Sequence, residues 1–101
     1  MPHRMDRSNQ ILTAAFGQVL RDIRGQIGLT QEDLAERADA SVRFVSLLEN
    51  GKRQPSLSAL AALSAGLGVT MSELVVAVEA RLAADSPSAE RRVPTSRAGQ
   101  H

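Results

Sequence analysis

The apolar residues of this chain recur at helical spacing rather than in strand alternation. Leu12, Phe16, Val19, Leu20 and Ile23 fall on one side of a helix over 10–26, Ile27 continues the stripe, and Gly28 ends it. Thr30 followed three residues on by Asp33 has the spacing of a capping box, with Asp in place of the commoner Glu, so a second helix starts at Gln31. Its buried stripe is Leu34, Ala35 and Ala38, while Glu32, Asp33, Glu36 and Arg37 take the wet side. Ala35 is small where two helices crossing over a tight turn need their backbones close.

Ser41 is the N-cap of a third helix that buries Val45 and Leu48 and runs through Glu49 and Asn50 into Gly51, a suitable residue just past a helix end. Val42, Arg43, Ser46, Leu47 and Asn50 are left on a face free to enter a groove. Pro55 and Ser56 start a fourth helix with Leu57, Leu60, Leu63 and Leu67 as its buried face, closed by Gly68. Thr70 and Glu73 form a second capping box for a fifth helix that runs to about Ala83 around Leu74, Val78 and Leu82. Met71, Val75 and Val76 add apolar surface beyond what one stripe needs, and this predicts a homodimer contact there.

Two short helices over 31–50, joined by a tight turn and followed by the adjacent cations Lys52 and Arg53, are what a DNA-binding helix-turn-helix requires. The chain from about 16 to 75 resembles the phage-repressor and Cro type of domain, the XRE family. The resemblance rests on Leu20, Arg21, Ile23 and Arg24, on Gly28-Leu29-Thr30-Gln31, Leu34-Ala35 and Val45, and on Leu48-Glu49-Asn50-Gly51-Lys52-Arg53, Pro55-Ser56 and Leu67-Gly68-Val69. It implies an all-α, compact five-helix, lambda-repressor-like domain. Under it Gln31 bonds a phosphate and braces the recognition helix, Asn50, Lys52 and Arg53 contact the DNA backbone, and Val42, Arg43, Ser46 and Leu47 face the bases. Arg would pair with guanine N7 and O6, and Leu would pack on a thymine methyl. Three positions depart from the family: Asp39 stands where glycine is usual, Val42 where Arg or Gln is common, and Phe44 is bulky for the edge of a groove. Asp accepts the left-handed backbone better than most residues with a Cβ.

Composition agrees with one small domain, residues 10–83, between a flexible arm over 1–9 and a disordered tail over 84–101 that is rich in Ser, Pro, Ala and Arg. Phe16 and Phe44 are the only aromatics, so aliphatics must fill the core. The absence of cysteine excludes disulfides and thiol chemistry. No apolar run approaches the roughly 18 residues of a membrane helix, and the N-terminus lacks the apolar centre of a secretory signal, so a cytoplasmic protein is expected.

Charge cuts against the resemblance at first sight, because the net is only +1. Within 12–82, Arg21, Arg24, Arg37, Arg43, Lys52, Arg53 and Arg81 meet Asp22, Glu32, Asp33, Glu36, Asp39, Glu49, Glu73 and Glu79. What decides binding is the face: Arg43, Lys52 and Arg53 cluster with Gln31, which predicts modest, strongly salt-dependent affinity. Arg4, Arg7, Arg91, Arg92 and Arg97 read as solubilising tail charges, with basic arms that track DNA as the alternative. Helical spacing and capping account for Glu32, Asp33 and Glu36 without a metal, and His3 and His101 lie in the tails.

No nucleophile, base and orienting group occur together, so neither catalysis, a metal nor a cofactor is expected. The function expected is a sequence-specific, double-stranded DNA-binding transcriptional regulator, a homodimeric repressor on a palindromic operator. The alternative is an antitoxin-type or protein-binding module whose DNA binding is autoregulatory, with a toxin or other regulator as its protein partner; exposed Phe44 and Leu47 motivate it.

Overall fold

Every described helix begins or ends on a residue whose chemistry dictates the boundary. The computed structural model describes residues 2–84, which form α1 (Pro2–Gln26), α2 (Gln31–Ala38), α3 (Val42–Glu49), α4 (Leu57–Leu67) and α5 (Met71–Ala84), with no strand among them. Thr30 caps α2 reciprocally with Asp33, at 3.0 Å from the Asp33 N–H to Thr30 Oγ1 and 2.9 Å from the Thr30 N–H to Asp33 Oδ2. The Thr70–Glu73 pair does the same for α5, at 2.9 and 2.8 Å. Ser41 and Ser56 each accept the N–H three residues on, at 3.0 Å, and so start α3 and α4.

The turn between α2 and α3 is made by Asp39 in the left-handed region, φ 56° and ψ 48°, as expected of Asp at a glycine position. There the Asp39 N–H reaches Glu36 O at 3.2 Å and the Ala40 N–H reaches Ala35 O at 2.8 Å, which satisfies the carbonyls at the end of α2.

Each helix contributes at least one fully buried side chain to a single core: Leu20 from α1, Leu34 from α2, Val45 and Leu48 from α3, Leu63 from α4 and Leu74 from α5. Each such burial is worth roughly 1.5–3 kcal/mol. α1 lies against α3 and α5, α2 against α3 and α4, and α4 against α5. The small residues set how close these helices come. A Cβ on Gly66 would meet Leu34 Cδ1 at 3.1 Å and Arg37 Cβ at 3.2 Å, so this glycine fixes the approach of α4 to α2.

Several expectations are corrected. α1 starts at Pro2 rather than Gln10, so its helical backbone begins before the apolar stripe does. Pro suits a first helical position, and neither Gly nor Pro interrupts the chain from His3 to Phe16. Leu12 and Ile27 are exposed at the two ends of the α1 stripe, beyond the helices that cover its middle. Leu57 is 74% exposed although it was assigned to the core face of α4. That helix, LSALAALSAGL, is apolar nearly all round, so periodicity could not choose its buried face; packing against α2 and α5 does, with Leu63, Gly66 and Leu67 buried. α5 reaches Ala84, and the disordered tail expected beyond it lies outside the described residues. No single helix among the described residues is long and apolar enough to cross a membrane.

Candidate nucleic-acid interface

α3 is held from below by Val45 and Leu48, both fully buried, so its opposite face is fixed toward solvent. Val42 and Arg43 are exposed on its first turn, and Ser46 and Leu47 are half-buried further along. Just past the helix, Asn50 turns back: its Nδ2 donates to Ser46 O at 2.9 Å and lies 3.4 Å from Ser46 Oγ. Gly51 then takes φ 71°, and the Lys52 N–H closes on Leu47 O at 2.9 Å. This fold-back leaves Lys52 and Arg53 exposed beside the end of α3.

Phe44 explains part of that arrangement. The Arg53 guanidinium carbon lies 5.7 Å from the centre of its ring, within cation–π range. The ring itself is half-buried and packs on the core. The apolar patch expected of Phe44 and Leu47 is therefore reduced, because both are half-buried and Arg53 covers the ring.

A buried polar cluster behind α3 sets its angle. The Glu49 side chain is wholly buried and receives Arg24 Nε on Oε2 at 2.6 Å and Arg24 Nη2 on Oε1 at 2.9 Å. Gln31 Nε2 donates to the same Oε1 at 2.9 Å, and Arg24 Nη1 donates to Leu29 O at 2.8 Å. One carboxylate thus ties α1, the start of α2 and the end of α3 together. Burial pushes the Glu49 carboxyl up, but hydrogen bonds from Arg24 and Gln31 and the charges of Arg24 and Arg21 outweigh it and hold it below the usual carboxylate range. Its hydrogen bond to Glu49 raises the Arg24 pKa, and the Glu49 charge adds to this against the cost of burial.

Two of the residues expected on phosphate are thereby engaged inside the protein. Gln31 spends an amide N–H on Glu49, which supplies the bracing part of its expected role, and Asn50 caps α3 while its Oδ1 lies 3.5 Å from Arg21 Nη2. Lys52, Arg53, Arg43 and Val42 are exposed on the surface, Arg53 against the Phe44 ring. Met71 is half-buried, whereas Val75 and Val76 are exposed on α5.

Reading the sequence missed Glu49 and Gly17. Glu49 lies four residues after Val45, on the buried stripe of α3, and that register was the available signal. Gly17 sits where α1 crosses the end of α3: a Cβ there would overlap the Leu48 carbonyl oxygen and lie 2.9 Å from that of Glu49.

The helix-turn-helix family matches residues 20–74. The chain is 43% identical over 65 residues to the control protein C.MunI of Mycoplasma sp, an alignment covering 63% of this chain and 88% of that protein. It is 40% identical over 60 residues to the HTH-type transcriptional regulator DdrOP3 of Deinococcus deserti, with 59% of this chain covered but only 46% of the relative. Among solved structures, the restriction-modification controller C.Esp1396I, a tetramer in complex with its natural 35 base-pair operator, superposes with a TM-score of 0.67 at 25% identity, covering 70% of this chain and 93% of that one.

Proposed function

This chain belongs to the XRE-type helix-turn-helix family of DNA-binding transcriptional regulators, and from that premise we propose that it acts as a homodimeric repressor on a palindromic operator. The observation that carries this reading is the exposed first turn of α3, Arg43 included, with Lys52 and Arg53 exposed beside the end of the same helix, which is clamped from behind. α3 lies in the major groove, Arg43 pairs with a base edge, and Lys52 and Arg53 hold phosphates. The clamp lets the helix enter the groove without reorganising.

Exposed Val75 and Val76 on α5 supply the dimer contact, with Met71 at its margin. Two-fold symmetry then sets the recognition helices about 34–36 Å apart, or a multiple of that, on two half-sites. Binding over a promoter represses by excluding polymerase. The protein is a cytoplasmic binding protein without catalytic activity in this reading. The structures of C.Esp1396I on its operator DNA, one of them a tetramer, support the DNA-binding part of this reading.

The test is to incubate purified protein with sheared genomic DNA of its source, recover the bound fragments at physiological salt and sequence them. Enrichment of a two-fold symmetric site supports the reading, and recovery no better than random overturns it. Light scattering of a Val76→Glu variant tests the interface: conversion of a dimer to monomer is expected, and an unchanged mass places the contact elsewhere.

A further inference from the structure

We infer that the DNA-contacting surface extends past the recognition helix onto α1, where a cleft of about 340 Å³ beside Lys52 and Arg53 seats one phosphate of the duplex backbone. This inference rests on the DNA-binding reading above and names a wall of the site which that reading does not include. Asn9, Gln10 and Thr13 of α1 form one side of the cleft, and Lys52, Arg53 and Gln54 form the other. The lining holds two cations and three carboxamides and no carboxylate, although residues 12–82 as a whole are slightly acidic.

The chemistry of each wall suits a phosphodiester. Lys52 and Arg53 supply charge, and the amides of Asn9, Gln10 and Gln54 supply N–H donors, the mixture that holds phosphates on duplex DNA. The Thr13 hydroxyl is engaged, donating to the Asn9 carbonyl within α1, so the α1 wall presents its two amides. Arg53 is positioned from behind by the Phe44 ring, which limits its freedom at the cleft edge. Arg7, exposed three residues before Gln10, is a cation on the same helix. Helical backbone through Asn9, Gln10 and Thr13 is what places this wall beside the loop; an α1 that began after Thr13 would leave Lys52 and Arg53 at the rim of the surface.

The experiment measures binding of the full chain to a fluorescent duplex of about 30 base pairs at several salt concentrations, where each added phosphate contact steepens the log–log slope by about 0.9. Gln10→Lys is expected to bind more tightly, with its advantage over the unmodified protein shrinking roughly 3.5-fold between about 50 and 200 mM salt. Gln10→Glu is expected to weaken binding with a shallower slope. Gln26→Lys, exposed at the opposite end of α1, controls for added charge remote from the cleft. If both Gln10 variants behave as the unmodified protein does, or Gln10→Lys merely matches Gln26→Lys, the inference is overturned. Lys52→Ala separates the two levels. A loss with Lys52→Ala but no effect at Gln10 overturns only the α1 wall, whereas no loss with Lys52→Ala overturns the docking itself. Circular dichroism melts confirm that each variant folds.

Discussion

Arg24 closes on Glu49 through two hydrogen bonds, Nε to Oε2 at 2.6 Å and Nη2 to Oε1 at 2.9 Å, around a carboxylate with no solvent exposure. The pair joins the first helix to the end of the recognition helix, so its energy is felt as the angle at which α3 presents Arg43. Removing one partner of a buried pair leaves the other charged and desolvated, at a cost of about 3–5 kcal/mol. Arg24→Ala should fall near the lower end of that range, because Gln31 and Arg21 remain beside Glu49. Urea unfolding checks this; a loss below about 1 kcal/mol would mean that the pair is not a structural tie.

The same carboxylate predicts an acid sensitivity. Its folded pKa lies below the ordinary value of 4.5, so the unfolded chain takes up the proton first as pH falls. The stability it contributes is complete above about 4.5 and is lost progressively as pH drops through the lower folded value. Asp33 acts in the same direction, because the backbone and side-chain hydrogen bonds with Thr30 lower its pKa. Urea midpoints from neutral pH down to about 3 should therefore fall less steeply for Glu49→Gln than for the unmodified protein. Parallel curves would assign the acid loss to other groups.

Two glycines of α1 should respond oppositely to alanine. At Gly25 nothing lies within 4 Å of an added Cβ, so Gly25→Ala should stabilise the protein by about 0.5–1 kcal/mol through helix propensity. At Gly17 the Cβ strikes the carbonyls of Leu48 and Glu49, backbone that cannot swing aside, and a loss of about 1–3 kcal/mol is expected. Thermal melts of the two variants decide it, and equal shifts of the same sign would refute the close crossing of α1 over α3.

The boundaries of α2 to α5 were legible because they are local. Thr30 with Asp33, Ser41, Ser56, and Thr70 with Glu73 each bond a backbone group within three residues, and Asp39 needs only its own dihedral freedom. Arg43, Lys52 and Arg53 were legible for the same reason, since a helix register and a glycine turn place them. Facts set by a distant neighbour were not. Leu57 looks like Leu63 until α2 selects one face of α4, and Gly17 looks like a helix weakness until the carbonyls of α3 lie against it. The ion pair of Glu49 is not local either, because its partner stands 25 residues away.

Phe44 and Arg53 should be coupled in DNA binding. A cation–π contact at an exposed site is worth about 0.5–1 kcal/mol, so Phe44→Leu should weaken binding by roughly that amount. In an Arg53→Ala background the effect of Phe44→Leu should vanish. Additive losses in the double-mutant cycle would show that the ring serves packing alone.

The central claim is that α3 reads sequence through Arg43. The most direct measurement is a base-by-base affinity profile of the unmodified protein and Arg43→Ala on a recovered site and all of its single-base variants. The expected result is a loss of about 1–3 kcal/mol confined to one base pair in each half-site, with discrimination there abolished and preferences elsewhere intact. A uniform loss across every variant, with discrimination preserved, would contradict the claim and leave Arg43 as one more phosphate contact.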